Sequence, residues 1–473
     1  MANFDLPRAE YTRALPSWQL VKDCVAGSKA VKARGVKYLP KPDPTNSSKE
    51  NEERYAALKK RAMFLNVTAR TEDGLIGAMF RKTAELKLPG SVEYLKDNAT
   101  GSGMSLEQLS KTAVGECLET GRGGFFADYP VVNDSTDGVQ SRTAADKRSA
   151  NVVFYDALSI IDWETESVDD VQQLVYVNLS EKISEFSHLD YQRTDICQNR
   201  ILVMADGVYH QRIYRDGNQV SDNIPTDFNG KPFDHIPFWF VGAKTNTADI
   251  DKAPLEDLAE VNILHYGNSA TVEESGFISS QPTLFFTTDI SQQDFAKWNP
   301  NGIQVGSTTG YSLGKTGTAI LVQAEAGQLA RELMKDKEDQ MLMIGARIVQ
   351  KSGGQETAEA ARMRYGSDNS ILSTIAGNVS EALKSAILDA QRFKMQEPQP
   401  EETTFWLPQE YFDEVMDAQM ILAQVQLWQQ GIIAKSDLRV NLRQAAILES
   451  DRTDKDIDAD REKEPPIDIS GGE

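Results

Sequence analysis

Cysteine is scarce in this chain. Cys24, Cys117 and Cys197 are the only three, far apart and with no Cys-x-x-Cys pair. So sparse and odd a set argues against a disulfide framework and a cysteine-built zinc site, and predicts reduced, mostly buried thiols. Histidine is equally thin: His188, His210, His235 and His265 have no second His or Cys at ligand spacing, so no metal site is expected. Long hydrophobic runs are missing too. No stretch of about 18 apolar residues occurs, so no segment reads as membrane-spanning. The opening "MANFDLPRAEYTRALPSW" carries charges and prolines where a secretory signal needs an apolar core. The expectation is a soluble chain made in the cytosol. Positive charge is in deficit, with 50 Lys and Arg against 71 Asp and Glu, a net −21. That balance disfavours tight phosphate binding by the surface as a whole.

What is present is a long, ordinary globular composition. With 473 residues and 40% hydrophobic content, the chain can bury a sizeable core in roughly two to four domains. One local basic run interrupts the acidic balance: Ser28 to Pro42, with Lys29, Lys32, Arg34, Lys37 and Lys41. It reads either as a solvated, partly extended segment or as a binding patch. "KPDPTNSSKE" is a linker, and the helical pattern after it is predicted to break near Asn66 and again at Gly74. Ser105 caps a second helix that ends at Thr120-Gly121. The middle is rich in β-branched and aromatic residues, and Asp206-Gly207 between two such runs signals a hairpin. Helix is predicted from Pro254 to the Pro282 stop. A compact β-containing insert follows, and helix resumes with Leu329, Leu333, Met341, Ile344 and Ile348 at helical spacing. Past "QKSGGQE", Leu372, Ile375, Val379, Leu383 and Ile387 form one apolar stripe.

Two motifs invite chemistry and fail on inspection. "GYSLGKTGT" (310–318) resembles a phosphate-binding loop, but the required first glycine falls on Thr309. The following "TAILV" reads as a strand where such a loop opens a helix. A P-loop nucleotide hydrolase built on Lys315 is therefore a remote alternative, and a turn between strands the better reading. In the tail, Asp454, Asp456 and Asp458 have calcium-loop spacing, but Ala459 and Pro465 occupy the glycine and closing glutamate positions. The Glu273-Glu274 pair reads as a solvated helix face. No catalytic residues, cofactor or metal are expected.

The order of several segments carries a resemblance. "APLEDLAEVNILHYGNSATVEESGFISSQPTLFF" leads into the insert, then "AEAGQLARELMKDKEDQMLMIGARIVQKSGGQETAEAARMRYGSDNS". "CLETGRGGFFADYP", "YDALSIIDWE", "HIPFWFVGAK" and "LAQVQLWQQGIIAKSDLRVNLRQAAIL" lie around them. Across roughly residues 50 to 460 the chain resembles the portal (head–tail connector) proteins of tailed double-stranded DNA bacteriophages.

The resemblance implies an α+β portal fold with an α/β wing, stem helices, a small β-containing clip, a long tunnel helix and a helical crown. The implied boundaries begin with an extended arm at 1–50 and the wing at 51–253. The first stem helix is 254–280, the clip 281–322 and the second stem helix 323–350. The tunnel loop is 351–356, the tunnel helix and wing return 357–405, and the crown 406–450. An acidic tail, expected to be disordered, fills 451–473. The implied function is a ring, usually of twelve copies, at one capsid vertex of the virion, assembled in the host bacterial cytoplasm. Through it DNA is packaged and ejected, and on it terminase and tail components dock. Implied partners are further copies of the chain, double-stranded DNA held non-specifically, the terminase large subunit, the major capsid or scaffolding protein, and a head–tail adaptor or tail protein. No membrane is involved. Another capsid or adaptor protein is the alternative. The candidate DNA-channel residues are Lys351, Ser352, Gly353, Gly354 and Gln355. Tyr311, Lys315 and Trp298 are candidates for clip docking. Arg331, Glu332, Lys335 and Asp339 are candidates for subunit contacts.

Overall fold

The computed structural model describes residues 6–129, 149–168, 170–279, 283–287, 291–298, 318–322, 328–349, 358–395, 397–409, 426, 434–436, 438–439 and 452–463. Its helices are α1 (Ala9–Ala26), α2 (Ser28–Ala33), α3 (Lys49–Arg61), α4 (Val67–Met79), α5 (Leu106–Thr120), α6 (Glu256–Ser279), α7 (Gln292–Trp298), α8 (Gln328–Val349), α9 (Ala358–Lys394) and α10 (Asp454–Lys463). Its strands are β1 (Glu85–Lys87), β2 (Arg122–Asp128), β3 (Asn151–Asp156), β4 (Ile160–Val168), β5 (Val171–Phe186), β6 (Arg193–Ala205), β7 (Val208–Arg215), β8 (Asn218–Asn223), β9 (Phe238–Gly242), β10 (Thr283–Thr287), β11 (Thr318–Val322) and β12 (Thr404–Trp406).

The strands form a three-stranded sheet β3-β2-β9, a five-stranded meander β4-β5-β6-β7-β8, and the pairs β1-β12 and β10-β11. Every pairing among the described residues is antiparallel. The architecture is therefore mixed α+β, and the expected α/β wing is corrected to helices beside antiparallel sheets. Asp206 (φ 52°) and Gly207 (φ 76°) make the β6–β7 turn in left-handed conformations, as a two-residue hairpin demands.

Local signals explain several boundaries. Ser105 caps α5 in a reciprocal box with Gln108, and Gly121 ends it at φ 72°. A side chain at Gly121 would lie 2.5 Å from the Asp251 carbonyl oxygen, so the helix turns into β2 only with glycine there. Asn66 caps α4 by accepting from the Ala69 N–H at 3.2 Å. The break expected at Gly74 does not occur; α4 runs through it.

The arm expected over residues 1–50 is helical for most of its length. Trp18, Val21 and Cys24 of α1 and Val31 of α2 are buried in the main core. Tyr11 and Trp18 meet edge to face at 5.5 Å, and α1 packs on α4, α5 and α6. That burial outweighs Pro16, which removes one helical hydrogen bond. The tail is corrected as well: α10 forms with Thr453 capping Asp456, and Asp458 pairs with Lys435 at 2.8 Å and with Arg439. The putting of Asp458 on Arg439 and Lys435 uses a carboxylate that a calcium loop would need. Residues beyond 463 lie outside the described residues.

A buried polar junction joins the two larger sheets. Glu181 of β5 accepts from Arg200 Nε (2.6 Å), Gln198 Nε2 (2.6 Å) and the Tyr155 hydroxyl (2.5 Å). Arg200 also reaches Asp128 at 3.5 Å. Burial alone would raise the Glu181 carboxyl, but the Arg200 guanidinium holds it below its ordinary value.

Candidate channel and self-association surfaces

The region in question begins with α6. Leu255, Leu258, Ala259, Asn262, His265, Tyr266, Ser269 and Ala270 are buried at helical spacing. The polar members serve the backbone beside them. Asn262 Oδ1 accepts from the Thr68 N–H (3.3 Å) and hydroxyl (2.9 Å), while its Nδ2 donates to the Leu65 carbonyl (2.8 Å). The Ser269 hydroxyl accepts from the Met63 N–H at 3.0 Å. The α3–α4 connector is thus fixed on α6 by groups that would otherwise be unpaired. Glu274, expected on a solvated face, instead takes Arg54 Nε at 3.1 Å and also Arg61. The Arg61 guanidinium lies 4.1 Å from the Phe277 ring centroid.

Helices α6 and α8 pack together. His265 Nε2 and Glu338 Oε1 are 3.1 Å apart across them, and Met341 is buried between neighbours. The strands β10 and β11 pair in register from Thr283 with Val322 to Thr287 with Thr318. They link the end of α6 towards the start of α8. The strand expected at "TAILV" is β11.

The four residues expected at subunit contacts share one outward face of α8. Arg331, Glu332, Lys335 and Asp339 are all exposed. Among the described residues none of the four has an ion pair within the chain. Apolar side chains accompany them: Leu329 is 69% exposed, Leu342 58% and Met343 63%. The predicted α8 stripe is therefore corrected. Met341 and Ile344 face the core, but Leu329 and Leu333 face outward. Trp298 is the last residue of α7. Tyr311, Lys315 and the candidate channel residues Lys351 to Gln355 lie outside the described residues.

Helix α9 is 37 residues long, and its stripe of Leu372, Ile375, Val379, Leu383 and Ile387 is buried as expected. Its C-terminal half is clamped to the three-stranded sheet. Asp389, buried, accepts from Trp239 Nε1 at 2.7 Å and sits 3.0 Å from His235 Nε2. Burial would lower the His235 pKa, but Asp389, through its hydrogen bond and charge, raises it above the ordinary value with help from Asp234. β12 lies along α9, with Leu407 N–H on the Ser380 hydroxyl at 3.0 Å and Gln391 Nε2 on the Thr403 hydroxyl at 2.6 Å. A groove of about 450 Å³ runs between them, lined by Asn378, Glu381, Lys384 and Trp406 among others. Trp406 and Leu407, assigned at the sequence level to the crown, belong instead to this return strand and its edge.

No group of His, Cys, Asp and Glu among the described residues could hold a metal ion. No helix among them is long and apolar enough to cross a membrane.

Residues 254–394, from just before α6 to the end of α9, match a family model described as a domain of unknown function, DUF4055. No curated protein matches the chain. Among solved structures, the chain is similar to one from the neck of an empty GTA particle computed with C6 symmetry. The TM-score is 0.38 at 12% identity, covering 82% of this chain and 92% of that one. It is also similar to one from the neck of a native GTA particle computed with C12 symmetry, with TM-score 0.39 and 11% identity over 80% and 89%.

Proposed function

We propose that this chain is the subunit of a portal ring, a conduit for double-stranded DNA at one vertex of a phage-like capsid. The observation that carries the reading is the unit α6, β10–β11, α8, in which two packed helices are joined towards one end by a β pair. Among the described residues the charged outward face of α8 has no ion pair within the chain, and the long helix α9 follows. In this reading α6 and α8 are the stem, β10–β11 belongs to the clip, and α9 borders the channel. Terminase, an adaptor or tail protein, and the capsid or scaffold are the docking partners. The role is structural, with no cofactor.

A ring of identical copies needs two different complementary surfaces on each copy. The α8 face supplies one, with opposite charges to be met by a neighbour and apolar side chains to be covered. An acidic protein also suits a conduit, because each phosphate neutralised by a cation adds affinity and would hold DNA still. Sedimentation velocity tests the assembly step. The wild-type chain should sediment as a large closed oligomer, and the double variant Arg331→Glu, Lys335→Glu should shift it strongly towards monomer. A wild-type chain that is monomeric at every concentration would rule out the ring.

A further inference from the structure

The basic run near the N-terminus has a definite structure that the ring reading does not use. Two of its five cations are neutralised inside the chain. Arg34 makes a two-pronged pair with Asp23, Nε at 2.6 Å and Nη2 at 2.9 Å. Lys41 pairs with Glu52. The other three, Lys29, Lys32 and Lys37, have no carboxylate partner among the described residues. Folding adds two more that the linear sequence keeps apart. Lys32 Nζ donates to the Lys60 carbonyl at 3.2 Å, which sets α2 against the C-terminal end of α3. Lys59 lies 5.9 Å from the Tyr55 ring, and the Tyr55 hydroxyl borders Gly35 in the turn after α2. Lys59 and Lys60 also lack a carboxylate partner among the described residues. Asp23 is taken by Arg34, and Glu274 by Arg54 and Arg61.

Five lysines without a carboxylate partner among the described residues thus lie on α2, the turn after it and the C-terminal end of α3, in a chain whose net charge is −21. Lys59 and Lys60 suit the end of a helix, but Lys29 stands in the first turn of α2, where positive charge is disfavoured and no acid offsets it. Local stability does not explain that placement. We propose that this face, built from α2, the turn through Lys37 and the C-terminal end of α3, binds the sugar–phosphate backbone of nucleic acid without reading bases. Lysine is a compact point charge on a flexible stem, fit for phosphates and poor at fixing a base edge. From Ser28 to Lys37 the chain spans on the order of 15 Å. A duplex presents one charge per about 1.7 Å of its axis, so several phosphates fit along the face, whereas one free phosphate reaches few of the lysines.

The test uses the full-length protein and a labelled mixed-sequence duplex of about 30 base pairs, read by fluorescence anisotropy at salt from about 50 to 200 mM. The variants are Lys32, Lys59 and Lys60 changed together to Gln, the same three to Arg, and a control set Lys96, Lys231 and Lys244 to Gln. Circular dichroism melts confirm that each folds. Removing three contacts should weaken binding at least tenfold at the low salt and reduce the log–log salt slope by about 2.7. The Arg set should bind as wild type, and the control should be unchanged. No duplex binding by the wild-type protein overturns the proposal. So does equal loss in the control, or competition by polyglutamate as effective as by unlabelled duplex, which would assign the face to an acidic protein. Ring assembly is scored separately by sedimentation, so failure here leaves that reading standing and failure there leaves this one.

Discussion

Glu72 offers a quantitative handle on the packing of the N-terminal helices. It is buried on α4, against Gly115 of α5. Burial, and then the charge of Glu119 beside it, push its carboxyl from 4.5 up to about 8. Lys22 is near but committed elsewhere, to Glu116 at 2.6 Å and Glu119 at 2.9 Å. A carboxyl with a raised folded-state pKa holds its proton more tightly in the native protein than in the unfolded chain. Its contribution is fully present below about pH 4.5 and is lost as pH rises towards 8. Each unit is worth about 1.4 kcal/mol. From about pH 6 to about pH 9 the native state should lose roughly 2–3 kcal/mol through this one group. Glu72→Gln keeps the shape and a donor for Glu119 but cannot ionise. The assay is the difference in thermal midpoint between wild type and variant across that range. Other titrating groups are common to both proteins and cancel. The variant should gain on wild type by about 2–3 °C between the two ends, at about 1 °C per kcal/mol for a chain of 473 residues melting as a unit. Parallel profiles would refute the reasoning and mean that Glu72 is ionised and solvated at neutral pH.

Three further outcomes follow from the same packing. Arg122 is buried with its guanidinium 3.9 Å from the Trp163 ring centroid and 4.3 Å from that of Phe240. It also donates to the Ala248 carbonyl at 2.6 Å. Arg122→Ala should cost about 3 kcal/mol in denaturant melts and Arg122→Met clearly less, because Met refills the slot between the rings; equal costs would contradict that account. Because Asp389 raises His235, the protonated form strengthens the α9 clamp at low pH and is lost as pH passes above the raised value. In Asp389→Asn the His235 midpoint, followed by NMR, should fall towards the ordinary 6.5, and an unchanged midpoint would show that Asp389 is not the cause. Gly121→Ala should destabilise by roughly 2–4 kcal/mol, since the left-handed backbone and the contact with the Asp251 carbonyl both oppose a Cβ; a melting point equal to wild type would mean that the turn relaxes freely.

What the sequence revealed was mostly local. The Ser105 cap, the Asp206-Gly207 turn and the α9 stripe each depend on neighbours within about one or two turns, and each is found where expected. The rejection of a phosphate loop also used local grammar, since "TAILV" is a strand. The failures share a different origin. The N-terminal helices looked like an arm because Pro16 and a lysine run hide Trp18, Val21 and Cys24, whose partners are far away in sequence. Glu274 looked solvated because Arg54 and Arg61 precede it by more than two hundred residues. Leu329 and Leu333 matched a core period but face outward, as residues reserved for a neighbour would. Of the candidate surface, the α8 face was legible as four charges at helical spacing. The lysine surface was half legible, because Lys59 and Lys60 join it only through the Lys32–Lys60 hydrogen bond between α2 and α3.

The most direct test of the account is the appearance of the purified chain by negative-stain electron microscopy. The portal reading predicts closed rings viewed end on, with a central hole of roughly 20–40 Å, enough for a duplex whose major groove alone is about 12 Å across. Monomers, open filaments, or rings with a hole too narrow for duplex DNA would contradict it.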